Sequence, residues 1–152
     1  MAETIRILQD NLNEITVQVI MDGASHAAGS PQTIIDASTL RNAIPGFTAT
    51  DFRLTFKSVK WSVDKNVTLV FLDTTPADSE RIIVLSENTS SGVAFLLEND
   101  TTSTEDGDIA YHTDNGTTYG FFLVTFKKER GYDFTGKRYK KATQPNPYLT
   151  KS

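Results

Sequence analysis

Few residues of this chain have types and spacing that could do chemistry. His26 lies in the small-residue run Asp22-Gly23-Ala24-Ser25-His26-Ala27-Ala28-Gly29-Ser30, and His112 follows Tyr111 at the end of a short apolar stretch. An imidazole titrates near neutral pH and can serve as acid, base or metal ligand. Neither histidine belongs to a His-Glu-x-x-His or Gly-x-Ser-x-Gly arrangement, so both read as ordinary surface residues. The segment Glu98-Asn99-Asp100-Thr101-Thr102-Ser103-Thr104-Glu105-Asp106-Gly107-Asp108 gathers five carboxylates in eleven residues. Calcium takes oxygen ligands, but the glycine is misplaced for an EF-hand and no glutamate stands at the twelfth position. A solvated turn is expected, with weak divalent binding as the minor alternative. Glycoside hydrolysis also uses paired carboxylates, one of them in an apolar pocket at a fixed separation from the other. A loop of Thr and Ser promises neither condition. Gly116, Gly120 and Gly131 have no phosphate-loop or dinucleotide spacing. The chain holds no cysteine, which removes thiol catalysis, disulfides and zinc–thiolate sites together. No catalytic, cofactor-binding or metal-ligating residue is assigned, no cofactor is expected, and an enzyme is not expected.

Charge separates the chain into two parts. Residues 1–126 hold seven of the fifteen Lys+Arg and seventeen of the nineteen Asp+Glu, a net of −10, and residues 127–152 hold the other eight and two, a net of +6. The acidic part repels a nucleic-acid backbone, so nucleic acid is not the expected partner. The basic end interleaves its charges with aromatic residues and is held extended by Pro145 and Pro147. It is the chain's candidate docking arm, with Lys137, Arg138, Tyr139, Lys140, Lys141 and Tyr148 as the partner-binding residues. Such side chains could stack on bases and pair with phosphates, or instead lie over an acidic protein surface with the aromatics filling pockets. Because the body is itself acidic, arms exchanged between copies also satisfy the charge, and a homo-oligomer is expected. The sequence shows neither a signal peptide nor a membrane span, so a soluble protein made inside a cell is expected, with no membrane partner.

The elements that must position these residues are strands. At 152 residues the chain can bury a single core. Ile15, Val17, Val19 and Met21 alternate with polar neighbours, as a half-buried strand requires. Thr33 to Asp36 predicts a second strand. Phe52, Leu54 and Phe56 alternate in one phase and Val59, Trp61 and Val63 in the other, which predicts a bulge near Ser58. Asp64-Lys65-Asn66 reads as a hairpin turn into Val67 to Leu72. Further strands are expected at Arg81 to Leu85, Val93 to Leu97, Ile109 to His112 and Tyr119 to Lys127. One helical turn is expected over Ser38 to Ile44, capped by Ser38 and stopped at Pro45-Gly46. Phe121 to Phe126 is apolar at successive positions, so one face of that strand meets the core and the other needs cover. About eight strands at regular spacing predict an all-β, antiparallel β-sandwich or jelly-roll-like fold with an extended C-terminal arm. The expected division is an N-terminal arm over 1–12, a sandwich body over 13–128 and a basic arm over 129–152.

Several segments carry a resemblance: Ile35-Asp36-Ala37-Ser38-Thr39-Leu40, Phe52-Arg53-Leu54 leading to Val59-Lys60-Trp61, Val67-Thr68-Leu69-Val70, Gly107-Asp108-Ile109, and Tyr119 to Lys127-Lys128. Together, over roughly residues 13 to 128, they resemble small virion structural proteins of tailed bacteriophages, especially phages of marine bacteria. The resemblance implies a capsid decoration or cement protein, located at the capsid surface of the virion after synthesis in the host cytoplasm. Its implied partners are the major capsid protein or other virion proteins. The alternatives are a neck or tail accessory protein, or a carbohydrate-binding adhesion module using Trp61 or the tyrosines as a sugar platform.

Overall fold

The computed structural model is described for residues 2–87, 90–98, 105–114 and 116–135. Among these residues nine strands form two antiparallel sheets. They are β1 (Glu3–Asp10), β2 (Glu14–Ala24), β3 (Gln32–Ile35), β4 (Arg53–Val63), β5 (Val67–Asp73), β6 (Glu80–Leu85), β7 (Ser90–Glu98), β8 (Glu105–Thr113) and β9 (Thr118–Arg130). The five-stranded sheet runs β1-β2-β9-β4-β7 and the four-stranded sheet β3-β8-β5-β6. Leaving aside the added edge strand β1, the order 2-9-4-7 facing 3-8-5-6 is that of a jelly roll. The fold is therefore the expected all-β antiparallel sandwich.

The core is made where the two inner faces interdigitate. Phe122, Val124 and Phe126 of β9 are fully buried, as are Ile15, Val17 and Val19 of β2 and Leu69 and Phe71 of β5. Phe126 meets Phe56 within its own sheet and Phe71 across the sandwich, with ring centroids 5.8 and 6.4 Å apart in edge-on geometry. Tyr111 meets Phe122 in the same way at 5.5 Å. Each such ring contributes roughly 1.5–3 kcal/mol by burial, and its edge-on neighbour adds up to about 1.5 kcal/mol.

Several local expectations change in the structure. Residues 3–10, expected as an arm, form β1 and pair along β2, with a register shift between Ile7 and Gln9. At the other end β9 continues to Arg130, and Tyr132 and Asp133 beyond it are buried. The packed body thus extends past residue 128. The break of phase in β4 is present: its pairings to both β7 and β9 shift register between Phe56 and Ser58. Asp64-Lys65-Asn66 does not close a hairpin, because β4 and β5 lie in opposite sheets. The Asp64 N–H donates instead to the Tyr119 carbonyl of β9 (3.0 Å). The helical turn is one 3₁₀ turn, Ala37–Thr39, and its cap is the Asp36 carboxylate, which accepts from the Ser38 N–H at 3.2 Å.

Candidate functional site

The strand that organises the molecule also organises its most distinctive surface. On β9, Phe122, Val124 and Phe126 point inward, so Tyr119, Phe121, Leu123, Thr125 and Lys127 point out. Cross-strand pairing sets Ile20, Gln18 and Thr16 of β2 beside Phe121, Leu123 and Thr125. On the other side the same three residues meet Ser62, Lys60 and Ser58 of β4. The Thr16 and Thr125 hydroxyls lie 2.9 Å apart, which fixes the shared face. Ile20 is 41% exposed and Tyr119 52%, whereas Phe121 and Leu123 are half-buried. Among the described residues no element packs over this stripe. The Lys57 ammonium and Glu14 carboxylate form an ion pair, their strands lying on either side of β9. Lys57 is the extra residue at the β4 bulge, which accounts for its outward direction.

At the far end of β9 the alternation places a lysine where an apolar residue would be expected. Lys128 is 1% exposed. Its Nζ donates to Asp10 Oδ1 at 2.5 Å, the Asn11 carbonyl at 2.7 Å, the Arg41 carbonyl at 2.8 Å and Asn42 Oδ1 at 3.0 Å. The Tyr132 ring lies 5.2 Å away, within cation–π range. Burial pulls the ammonium below its ordinary pKa, and the bond and charge of Asp10 oppose that shift. The Asn42 side-chain amide continues the network to the Leu12 and Asp133 carbonyls, at 3.3 and 2.8 Å. Tyr132, its hydroxyl pushed up by burial, donates to the Ala37 carbonyl at 2.8 Å. These bonds fasten the β1–β2 turn, the 41–42 segment and the chain after β9 into one knot. They fix the root from which residues 136–152 depart.

A second polar cluster pins the opposite end of β1. Glu3 Oε1 accepts from the Tyr111 hydroxyl and lies 2.6 Å from His26 Nε2. The His26 ring meets Tyr111 edge-on at 5.2 Å, and the Thr113 N–H donates to the His26 carbonyl at 2.8 Å. Burial is the main cause raising the Tyr111 hydroxyl, which stays protonated. His112 lies 3.7 Å from Asp114, and burial lowers its imidazole against a weaker upward pull from that carboxylate. Both histidines are therefore half-buried and partnered by carboxylates, not ordinary surface residues. Asp108 accepts from the Ala37 N–H at 2.9 Å. Among the described residues no group of three or more His, Asp or Glu is placed to hold a metal ion. Residues 99–104 of the acidic segment lie outside the described residues.

Lys137, Arg138, Tyr139, Lys140, Lys141 and Tyr148 also lie outside the described residues. Trp61 is 6% exposed and donates its indole N–H to the Ser86 carbonyl at 3.1 Å, so it belongs to the core and offers no platform for a sugar. Sequence reasoning missed Lys128 as an interior residue. The signal was its even-numbered phase with Phe122, Val124 and Phe126.

No protein-family model and no curated protein matches the chain. Among solved structures it is similar to the CBM22-1 and GH10 modules of Clostridium thermocellum xylanase 10B, complexed with xylohexaose. The TM-score is 0.39 at 11% identity, over 85% of this chain and 25% of that one. This chain thus spans a quarter of the length of that two-module chain. It is also similar to a family 29 carbohydrate-binding module complexed with cellulohexaose (TM-score 0.41, 8% identity, 84% of this chain and 92% of that one). Tobacco streak virus coat protein gives a TM-score of 0.35 at 13% identity, over 83% and 92%.

Proposed function

We propose that this chain is a non-enzymatic structural protein of a phage particle: a decoration protein that binds across major capsid protein subunits and stabilises the head. The observation that carries the reading is the division of charge about a fixed root. Residues 1–135 contain ten of the fifteen Lys+Arg and all nineteen Asp+Glu, a net of −9, and residues 136–152 contain five Lys+Arg and no acid, a net of +5. The Lys128 knot holds the point where the two parts join. A rigid body with a basic arm and an apolar stripe has two separate means of contact. Joining them through one chain raises the effective concentration of the second contact once the first has formed. Spread over a shell, such paired contacts resist the outward pressure of packaged DNA.

The test is gold-labelled full-length protein mixed with intact and protein-stripped phage particles and imaged by electron microscopy. Label over the whole head is the expected result. Label at one vertex or along the tail would move the role to the neck or tail, and absence of label on any particle would overturn it. Replacing Lys137, Arg138, Tyr139, Lys140, Lys141 and Tyr148 together by alanine is expected to abolish labelling; unchanged labelling would remove the arm from the mechanism.

A further inference from the structure

The knot at the C-terminal end of β9 holds three side chains that complement each other in reactivity as well as in charge. Lys128 carries a primary amine, Asn42 a carboxamide and Asp10 a carboxylate, and they converge on one atom. Nζ lies 3.0 Å from Asn42 Oδ1 and 2.5 Å from Asp10 Oδ1. We infer that Lys128 and Asn42 join through an intramolecular isopeptide bond, with Asp10 carrying the protons.

Each group is held for that reaction. The Lys128 side chain is wholly excluded from solvent. Burial favours its neutral amine, the form that attacks a carbonyl. With a C=O bond of about 1.23 Å, Nζ stands at most about 4.2 Å from Asn42 Cγ, close to the roughly 3–3.5 Å of a near-attack arrangement. The carboxamide is fixed in direction, because Nδ2 donates to the Leu12 and Asp133 carbonyls at 3.3 and 2.8 Å and so turns Oδ1 toward the amine. Asn42 is also the one non-glycine among the described residues at positive φ, +60°, a backbone conformation that aims its side chain into the knot. Asp10 is the proton carrier and not the acyl donor: its charge repels a nucleophile, and its Oδ2 already accepts from the Arg41 N–H at 2.8 Å.

The ammonium first passes one proton to the Asp10 carboxylate. The freed amine adds to Cγ, forming the Nζ–Cγ bond, and the carbonyl electron pair moves onto Oδ1. Asp10 gives its proton to Nδ2 and takes a second one from Nζ. The carbonyl then re-forms as the Cγ–Nδ2 bond breaks, and ammonia leaves, collecting the proton from Asp10 as ammonium. No oxidant, reductant or cofactor is consumed. The bond closes residues 42–128 into a covalent ring at the root of residues 136–152. Because it forms within one chain, it is independent of binding to a particle.

Intact-mass spectrometry of the purified full chain is expected to give the mass of the sequence less one ammonia, and proteolysis a branched peptide joining Asn42 to Lys128. Lys128→Arg, whose guanidinium stays protonated and is not acylated, should restore the full mass. Asp10→Asn keeps both ends of the bond and removes the proton carrier, so most of the folded chain should lose the cross-link; circular dichroism checks the fold. If a variant folds poorly, the wild-type mass and the branched peptide decide. A wild-type chain at full mass after prolonged incubation would overturn the inference, as would an ammonia deficit that persists in Lys128→Arg. A deficit of one water mapped to Asp10 would overturn Asn42 as the acyl donor.

Discussion

Lys128 stands two residues after Phe126 on the inward phase of β9, and its ammonium is tolerated there because four oxygens from two chain segments, residues 10–11 and 41–42, converge on it. Removing the cation strands those acceptors in a buried setting, where an unpaired partner costs several kcal/mol. Lys128→Met is therefore expected to lower the unfolding free energy by about 3–5 kcal/mol, read from urea midpoints; a loss within experimental scatter would mean that the knot is not formed. His112 makes a prediction with a definite sign. Its native-state pKa lies below the unfolded value, so on acidification the unfolded chain takes up its proton first. The stability contributed by neutral His112 is complete above about pH 6.5 and declines as pH falls toward the native pKa. His112→Asn should flatten the fall in unfolding free energy between about pH 7.5 and about pH 5.5, and an unaltered slope would refute the assignment. The sequence made the charges visible but not their surroundings. Lys128 read as the beginning of a basic arm because its acceptors lie on residues 10, 11, 41 and 42, which only the fold brings near.

At the scale of elements, strands whose two faces differ were legible and strands defined by their neighbours were not. The alternation in β2 and the phase break in β4 follow from the pleat alone, and both occur at the expected residues. The strand β1 was hidden because an edge strand buries little: Thr4, Arg6, Ile7, Leu8 and Gln9 are exposed, and such a segment reads as an arm. Asp64-Lys65-Asn66 has the chemistry of a hairpin turn, yet the same residues serve a connection between sheets, because β4 takes β9 and β7 as its partners. One glycine shows how tightly the central strands approach. Gly120 sits at φ +135°, and a Cβ there would come within 2.1 Å of the Ser62 carbonyl oxygen. Gly120→Ala is expected to destabilise by about 2–5 kcal/mol, combining backbone strain with overpacking. Gly29→Ala, with nothing within 4 Å, should stay within about 0.5 kcal/mol. Equal effects in thermal unfolding would contradict the register of β9 on β4.

For the molecule as a whole, composition and strand spacing specified a sandwich, but the order of strands within each sheet depends on contacts distant in sequence. Body and arm are expected to separate cleanly, because the knot at Lys128 and the buried Tyr132 lie before residue 136. A chain ending at Thr135 should unfold in one cooperative transition at the same midpoint as the full chain. A lower midpoint would show that residues 136–152 support their own body. The position of β9 also governs how the chain comes to its native state. Among the described strands this one comes last in the chain, yet it lies between β2 and β4, which have no direct pairing with each other. During synthesis the β1–β2 hairpin and the β4 ladder therefore wait without their common neighbour, and the larger sheet closes only when Phe122 to Phe126 emerge. Closure of that sheet therefore waits for β9, on the millisecond-to-second scale of non-local β topologies. Until then the waiting edges need protection from one another, and chaperone demand should be greatest in that interval.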